Sequence, residues 1–344
     1  MAECSLSFNS SSLSPEDRVN YTGKSLTNEG VRRLITDSAV NGLRSVVLEN
    51  DRLRLVFIPQ LGSKMISLMN KRTRREWLDR PAGREFQKPV YGSLWGDWDR
   101  CGWDEMLPSI DPCSYPEAQW ADIEVPDHGE LWSLPWRHEV VNDVTLLFSV
   151  SGVRWPYQLQ KQVRLEENRI HFSYKLINCS SYSLPYLWAP HPIVSARPSM
   201  KVKFPLSVKE VSVSMSSNDW LGQRGNKLSW PHYCLPDREV RLDRMPMPDD
   251  GVYYKIYAAA PMSEGWCSIE DEATGESFTF TYSADCLPYL GLWMNAKGWG
   301  GEYHLALEPS SGYLDNLGEA RQQERCAILQ SHNNQQWELV CTIQ

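Results

Sequence analysis

The chain has 344 residues, 42% of them hydrophobic and 23% charged, with a formal net charge of −8, an ordinary globular composition on a length sufficient for a sizeable core. The negative balance, with a single dense basic run at residues 71–75, argues against nucleic acid as a partner, since phosphate binding needs clustered Lys and Arg, and no apolar run approaches the roughly 20 residues that cross a bilayer as a helix. Nine cysteines without a CxxC pair argue against a disulfide framework or a zinc site, and the opening MAECSLSFNSSSLSPED lacks a basic-then-apolar leader, so reduced thiols in a cytoplasm are the expectation.

In chain order, residues 1–40 are polar and read as an N-terminal arm, with one helical turn conceivable at 30–35. Short strands follow. Val46–Glu49 and Leu53–Ile58 run apolar, and Pro59 closes the second; Gly62–Met69 continues, then a basic turn, then Glu76–Leu78. Residues 79–127 are rich in Gly, Pro, Trp and Asp with little periodicity. A long ordered loop of this kind is usually functional, so a structured region over a binding face is expected.

Strand patterns return at Leu131–Val141, Val144–Val150, Gln158–Leu165 and Arg169–Asn178. In the last of these Ile170, Phe172, Tyr174 and Leu176 share one face. Further candidates are 202–204, 208–213, 253–259, 266–271, 277–282, 289–294, 302–308 and 336–342, and the best helical segment is the short 318–323. Many strands with few helices predict an all-β protein, a large antiparallel β-sandwich formed as one domain over residues 41–344.

Fifteen tryptophans are well above what a chain of this length normally carries; most are expected to fill the core, and two or three to reach a ligand. Indole offers a flat apolar face and one donor, which suits the flat C–H faces and hydroxyls of a sugar. Among seven histidines, His128 lies in VPDHGE, a loop entering a strand. His191 lies between two prolines that stiffen its backbone, and an imidazole held so is a reasonable acid or base. Glu308 closes YHLALE, where alternation puts Tyr303, Leu305 and Leu307 on one face and His304, Ala306 and Glu308 on the other. Pro309 is expected to end that ladder. A carboxylate at such a place gains a raised pKa by partial burial, or serves as a salt-bridged strand end.

These motifs together resemble the galactose mutarotase-like (aldose 1-epimerase) family. LRLVFIPQLGSKMISL from Leu53 resembles its opening strand, Pro-x-x-Gly turn and second strand. His128-Gly129 is similar to its His-Gly motif, WAPHP around His191 to the site of its second histidine, and LALEP around Glu308 to the late strand ending in its catalytic Glu. The likeness covers roughly residues 45–342. The family's Asn-Arg motif is replaced by GSLWGDWDRCGWDEMLP, with Arg100 as the nearest equivalent, and the pattern after the second histidine also departs, which marks a divergent branch.

The resemblance implies a galactose mutarotase-like supersandwich that interconverts sugar anomers by acid/base ring opening without a cofactor. Glu308 is then the base and His191 the acid, on opposite sides of the sugar, with His128 on the ring oxygen or a neighbouring hydroxyl. Arg100 and Asp285 are candidates for the other hydroxyls, and Trp95, Trp103 and Trp293 for stacking platforms. The expected partner is a small-molecule sugar, phosphorylated or not, with a homodimer through an exposed strand edge as an open option. The competing readings are a non-catalytic sugar sensor and a carbohydrate-cleaving enzyme pairing Asp104 or Glu105 with Glu308. The acidic group Asp97, Asp99, Asp104 and Glu105 is read as a surface loop, so no metal is expected.

Overall fold

The computed structural model describes residues 35–80 and 83–344. Those residues form three principal antiparallel sheets and three two-stranded sheets. The first sheet runs Ile35–Val40, Leu43–Glu49, Leu53–Ile58, Lys64–Asn70, Trp103–Met106 and Ala189–Pro192, with Arg75–Glu76 paired to Lys64–Asn70. The second has eight strands in the order Met200–Lys203, Trp266–Asp271, Glu276–Tyr282, Asn334–Ile343, Arg169–Asn178, Tyr157–Glu166, Thr145–Ser151 and Arg137–Asn142. The third runs Val194–Ser195, Tyr303–Ser310, Tyr289–Ala296, Val252–Ala258, Glu210–Ser216 and Lys227–Ser229.

The first and second sheets pack face to face through aromatic side chains. Phe57 meets Phe148 with ring centroids 5.2 Å apart, and Trp103 meets Phe172 at 4.9 Å. One continuous apolar cluster links all three sheets, and Leu292, Leu305 and Leu307 of the third sheet belong to it. Residues 189–195 carry the chain from the first sheet into the third. Ala189–Pro192 pairs with Trp103–Met106, and after Ile193 the next two residues pair with Tyr303–Ser310.

The all-β expectation holds, and the reasons for its local failures are physical. Residues 35–40, placed in the arm by the sequence reading, form an edge strand paired with Leu43–Glu49; the part of the arm before residue 35, including most of the conceivable helical turn, lies outside the described residues. The stretch Leu131–Val141 begins as a 3-10 turn at Leu131–Ser133, and only Arg137–Asn142 is strand. Pro309 does not end its ladder. The strand runs to Ser310, with Pro309 opposite Leu290. Glu308 is therefore fully buried in an interior strand of the third sheet rather than at an edge. Among the described residues no helix is long and apolar enough to cross a membrane; the one α-helix, Leu317–Gln322, is capped by the Asn316 side chain accepting from Glu319 N at 3.0 Å.

Candidate active site

Alternation along three neighbouring strands of the third sheet puts chemistry on its face away from the core. Leu305 and Leu307 point into the core cluster, so Ala306 and Glu308 point the other way. On the next strand Leu290, Leu292 and Met294 are core and Trp293 faces outward. On Val252–Ala258, Tyr254, Ile256 and Ala258 are core, which turns out Tyr253, Lys255 and Tyr257. Glu308 lies opposite Gly291, and Gly291 opposite Tyr257. A Cβ at Gly291 would come within 3.0 Å of the Tyr257 ring, so the missing side chain is what lets that ring lie across the sheet beside Glu308.

This face floors a cavity of about 350 Å³ lined by Trp95, His128, His191, Lys255, Trp293 and Glu308, with further walls from Asp111, Asp127, Tyr253, Trp299 and Asp315. Its size is at the small end of ligand cavities, roughly 300–1,000 Å³. His191 Nε2 stands 4.0 Å from Glu308 Oε1. That oxygen and His191 Nδ1 have no hydrogen-bond partner among the described residues. Burial pushes the Glu308 carboxyl up, and Lys255 opposes the shift. Burial, then His128 and Lys255, hold the His191 imidazole well below its usual range.

The other half of the site comes from the first sheet and its loops. His128 has a left-handed backbone (φ 57°) followed by Gly129 (φ 72°). A Cβ at 129 would lie 2.0 Å from the Leu107 carbonyl oxygen, so only glycine fits and the turn aims His128 into the cavity. Asp127 Oδ1 holds His128 Nδ1 at 2.9 Å, and its Oδ2 accepts from Trp95 N at 2.7 Å. Burial acts to raise the Asp127 pKa, but the His128 pairing and these bonds hold it below the usual carboxylate range. The Trp95 ring stacks on His128 at 5.0 Å and leans on His191 at 4.8 Å. Its indole N–H donates to Asp104 Oδ2 at 2.9 Å, and Lys64 bridges Asp104 (3.2 Å) and Asp99.

The structure thus brings together Glu308, His191, His128, Trp95 and Trp293. It does not bring the other three sequence candidates into the cavity. Trp103 is 1% exposed and packs against Phe172, Phe278 and Phe280 in the core, because Trp103–Met106 is an interior strand, not part of a surface loop. Arg100 is paired with Glu302 at 2.6 Å and sits 4.9 Å from the Trp299 ring. Asp285 lies on a separate cavity of about 390 Å³ with Tyr186, Tyr289 and Trp337. The carboxylates suggested for a cleavage reaction are also withdrawn, Asp104 onto Lys64 and Glu105 onto Lys161.

Sequence reasoning missed Lys255, Asp315, Asp111, Asp127, Tyr253 and Trp299. Lys255 carried a signal, a lysine inside the otherwise apolar run VYYKIYA. Its Nζ lies 2.5 Å from Glu308 Oε2 and 2.7 Å from Asp315 Oδ1. Burial works to lower its pKa, but the two carboxylates outweigh burial and hold the ammonium charged.

No family model matches this chain, and no curated protein matches it. Solved structures do. The Slr1438 protein from Synechocystis sp. PCC 6803 aligns with a TM-score of 0.67 at 16% identity, over 93% of this chain and 99% of that one. A galactose mutarotase related enzyme from Lactobacillus acidophilus aligns at 0.62 and 13% identity, over 87% and 97%. A galactose mutarotase-like protein from Lactobacillus casei ATCC 334 aligns at 0.59 and 17% identity, over 87% and 100%. Agreement along nearly the full length of each of these chains, at identities this low, is agreement of architecture: the chain has the galactose mutarotase-like fold.

Proposed function

We propose that the cavity binds a free aldose and exchanges its anomers by general acid/base ring opening. The observation that carries this reading is the pair Glu308 and His191, 4.0 Å apart on the floor of a cavity walled by indoles. The anomeric hydroxyl and the ring oxygen are bonded to the same carbon. A base and an acid standing side by side, each within about 3 Å of its own oxygen, therefore serve both. The two groups are neighbours here, not partners on opposite sides of the sugar as the sequence reading had them.

In the opening step Glu308 takes the proton of the anomeric hydroxyl as the bond from C1 to the ring oxygen breaks, and His191 delivers its proton to that oxygen. Rotation about C1–C2 presents the other face of the aldehyde. Closure runs the transfers backwards: His191 recovers its proton from the chain hydroxyl as that oxygen bonds to C1, and Glu308 returns its proton to the aldehyde oxygen, which becomes the new anomeric hydroxyl. Burial disfavours the imidazolium, and the Glu308 carboxylate stands 4.0 Å away as a counter-charge to it. His128, fixed by Asp127 and Trp95, is placed for a neighbouring hydroxyl, and Trp95, Trp293 and Trp299 for the C–H faces.

The test is exchange spectroscopy by NMR on a panel of free aldoses. Accelerated exchange with one sugar, lost in Glu308→Gln, supports the proposal. Measurable sugar binding with no acceleration overturns it in favour of a non-catalytic sugar-binding protein.

A further inference from the structure

Among the described residues Lys255 is the one lysine or arginine lining the cavity, and its contacts say what it is for. It stands in register opposite Trp293 on the neighbouring strand and is 5% exposed. Its ammonium spans Glu308 at 2.5 Å and Asp315 at 2.7 Å. Asp315 is pinned in turn by Tyr257 OH donating to Oδ1 at 2.7 Å and by the Ser214 hydroxyl donating to Oδ2. Arg224, which donates to the Ser214 hydroxyl behind Asp315, is tied to Asp111 at 3.2 Å and Glu319 at 3.0 Å. A group placed to grip a substrate anion keeps its donors available for it; this lysine is committed to two protein carboxylates.

We infer that Lys255 is a positioning residue for the acid/base pair: it fixes the Glu308 carboxylate beside His191 and sets the pH window in which the two share one transferable proton. The inference rests on the reading of Glu308 and His191 as the catalytic pair.

The electrostatic signs are definite. The Lys255 charge favours ionised Glu308 and disfavours a protonated His191. Asp315 acts on Glu308 in the opposite sense. The other groups around the pair include His128 and Asp127 from the loop before Gly129, Asp111 on the facing wall, and Tyr257 and Ser214 behind Asp315; His304 and Lys64 also act on His191, in the same sense as Lys255. An acid/base pair holding one proton gives a bell-shaped rate profile whose two limbs belong to the pair. Removing Lys255 raises the proton affinity of both members, so both limbs move to higher pH. Neutralising Asp315 lowers the proton affinity of Glu308, so the acid limb moves to lower pH.

The experiment is the pH dependence of anomer exchange for wild type, Lys255→Met, Lys255→Arg and Asp315→Asn, with thermal unfolding of each variant as a check of folding. The expected result is that the acid limb of Lys255→Met rises by about one to three pH units, the effect of losing an opposite charge within ~4–6 Å, and that the basic limb rises with it as a like charge is removed from His191. Lys255→Arg is expected to keep the wild-type limbs, and Asp315→Asn to shift its acid limb the other way. If Lys255→Met does not fold, the opposite displacement in Asp315→Asn and the retained limbs in Lys255→Arg carry the test. Limbs that stay in place in every folded variant, while Glu308→Gln abolishes exchange, overturn this inference and leave the catalytic pair standing. Full exchange in Glu308→Gln overturns the pair itself.

Discussion

Lys255 and Lys161 are both buried against carboxylates, and they do opposite things. Lys161 projects from Tyr157–Glu166 between the first and second sheets. It meets Glu105 Oε1 at 3.2 Å and the Ser63 carbonyl at 3.3 Å, with the rings of Trp136 and Phe148 at 5.2 and 5.4 Å. Tyr174 OH also donates to Glu105 Oε1, at 3.0 Å. Burial pushes Lys161 down and Glu105 up, and the pair's mutual attraction does not reverse either shift. Lys255 faces two carboxylates, and there attraction outweighs burial. The lysine in contact with one carboxylate has its proton affinity lowered, and the lysine in contact with two has it raised. Only the lysine at the cavity stands beside the proposed proton transfer. The aromatic-walled pair in the core can act on stability alone.

That contrast can be broken at several points. The largest effect is expected from Glu308→Gln, which removes the base and should lower the exchange rate by about 10²–10⁴-fold while isothermal titration still detects the sugar. Lys161→Met, at the core pair, should leave Glu105 buried without its cation and cost about 3–5 kcal/mol of stability. The double change Lys161→Met with Glu105→Leu should recover most of that loss. Denaturant titration measures both, and exchange per folded molecule should stay at the wild-type level. The two kinds of tryptophan sharpen the same line. Trp103→Ala should cost about 3–5 kcal/mol of stability, whereas Trp293→Ala should leave unfolding nearly unchanged and weaken sugar binding by about 0.5–1.5 kcal/mol, read from chemical unfolding and from titration. The smallest effect is expected from Asp285→Ala on the separate cavity, where neither the exchange rate nor sugar affinity should move.

How much of this was legible depends on how far apart in the chain the deciding partners lie. Arg169–Asn178 was read end to end, because its inward aromatics and aliphatics alternate without interruption. The strand Ile35–Val40 was not, since an exposed edge with Asp37 and Ser38 at its centre has no inward face to mark it. Trp103–Met106 was misread for a different reason. It buries Asp104 and Glu105, and carboxylates inside a strand look like loop until Lys64 and Lys161 are brought against them by the tertiary fold. At the site, Glu308, His191 and His128 were visible through their local motifs. Asp315 had no local mark at all, because its partners Tyr257 and Ser214 are 58 and 101 residues away. Lys255 was missed although it interrupts an apolar run, and its meaning came only with the fold that brings its ammonium to Glu308 and Asp315.

The position of Asn334–Ile343 in the second sheet has a consequence for how the chain reaches this state. That strand lies between Arg169–Asn178 and Glu276–Tyr282 and hydrogen-bonds both. During synthesis the flanking strands are made long before it, so each waits with an open row of backbone donors and acceptors. Pairings of such sequence separation are slow to form, and unpaired edges are where nascent chains meet the wrong neighbour. The middle of the second sheet therefore stays open until Asn334–Ile343 is in place, and until then both flanking edges are available for association.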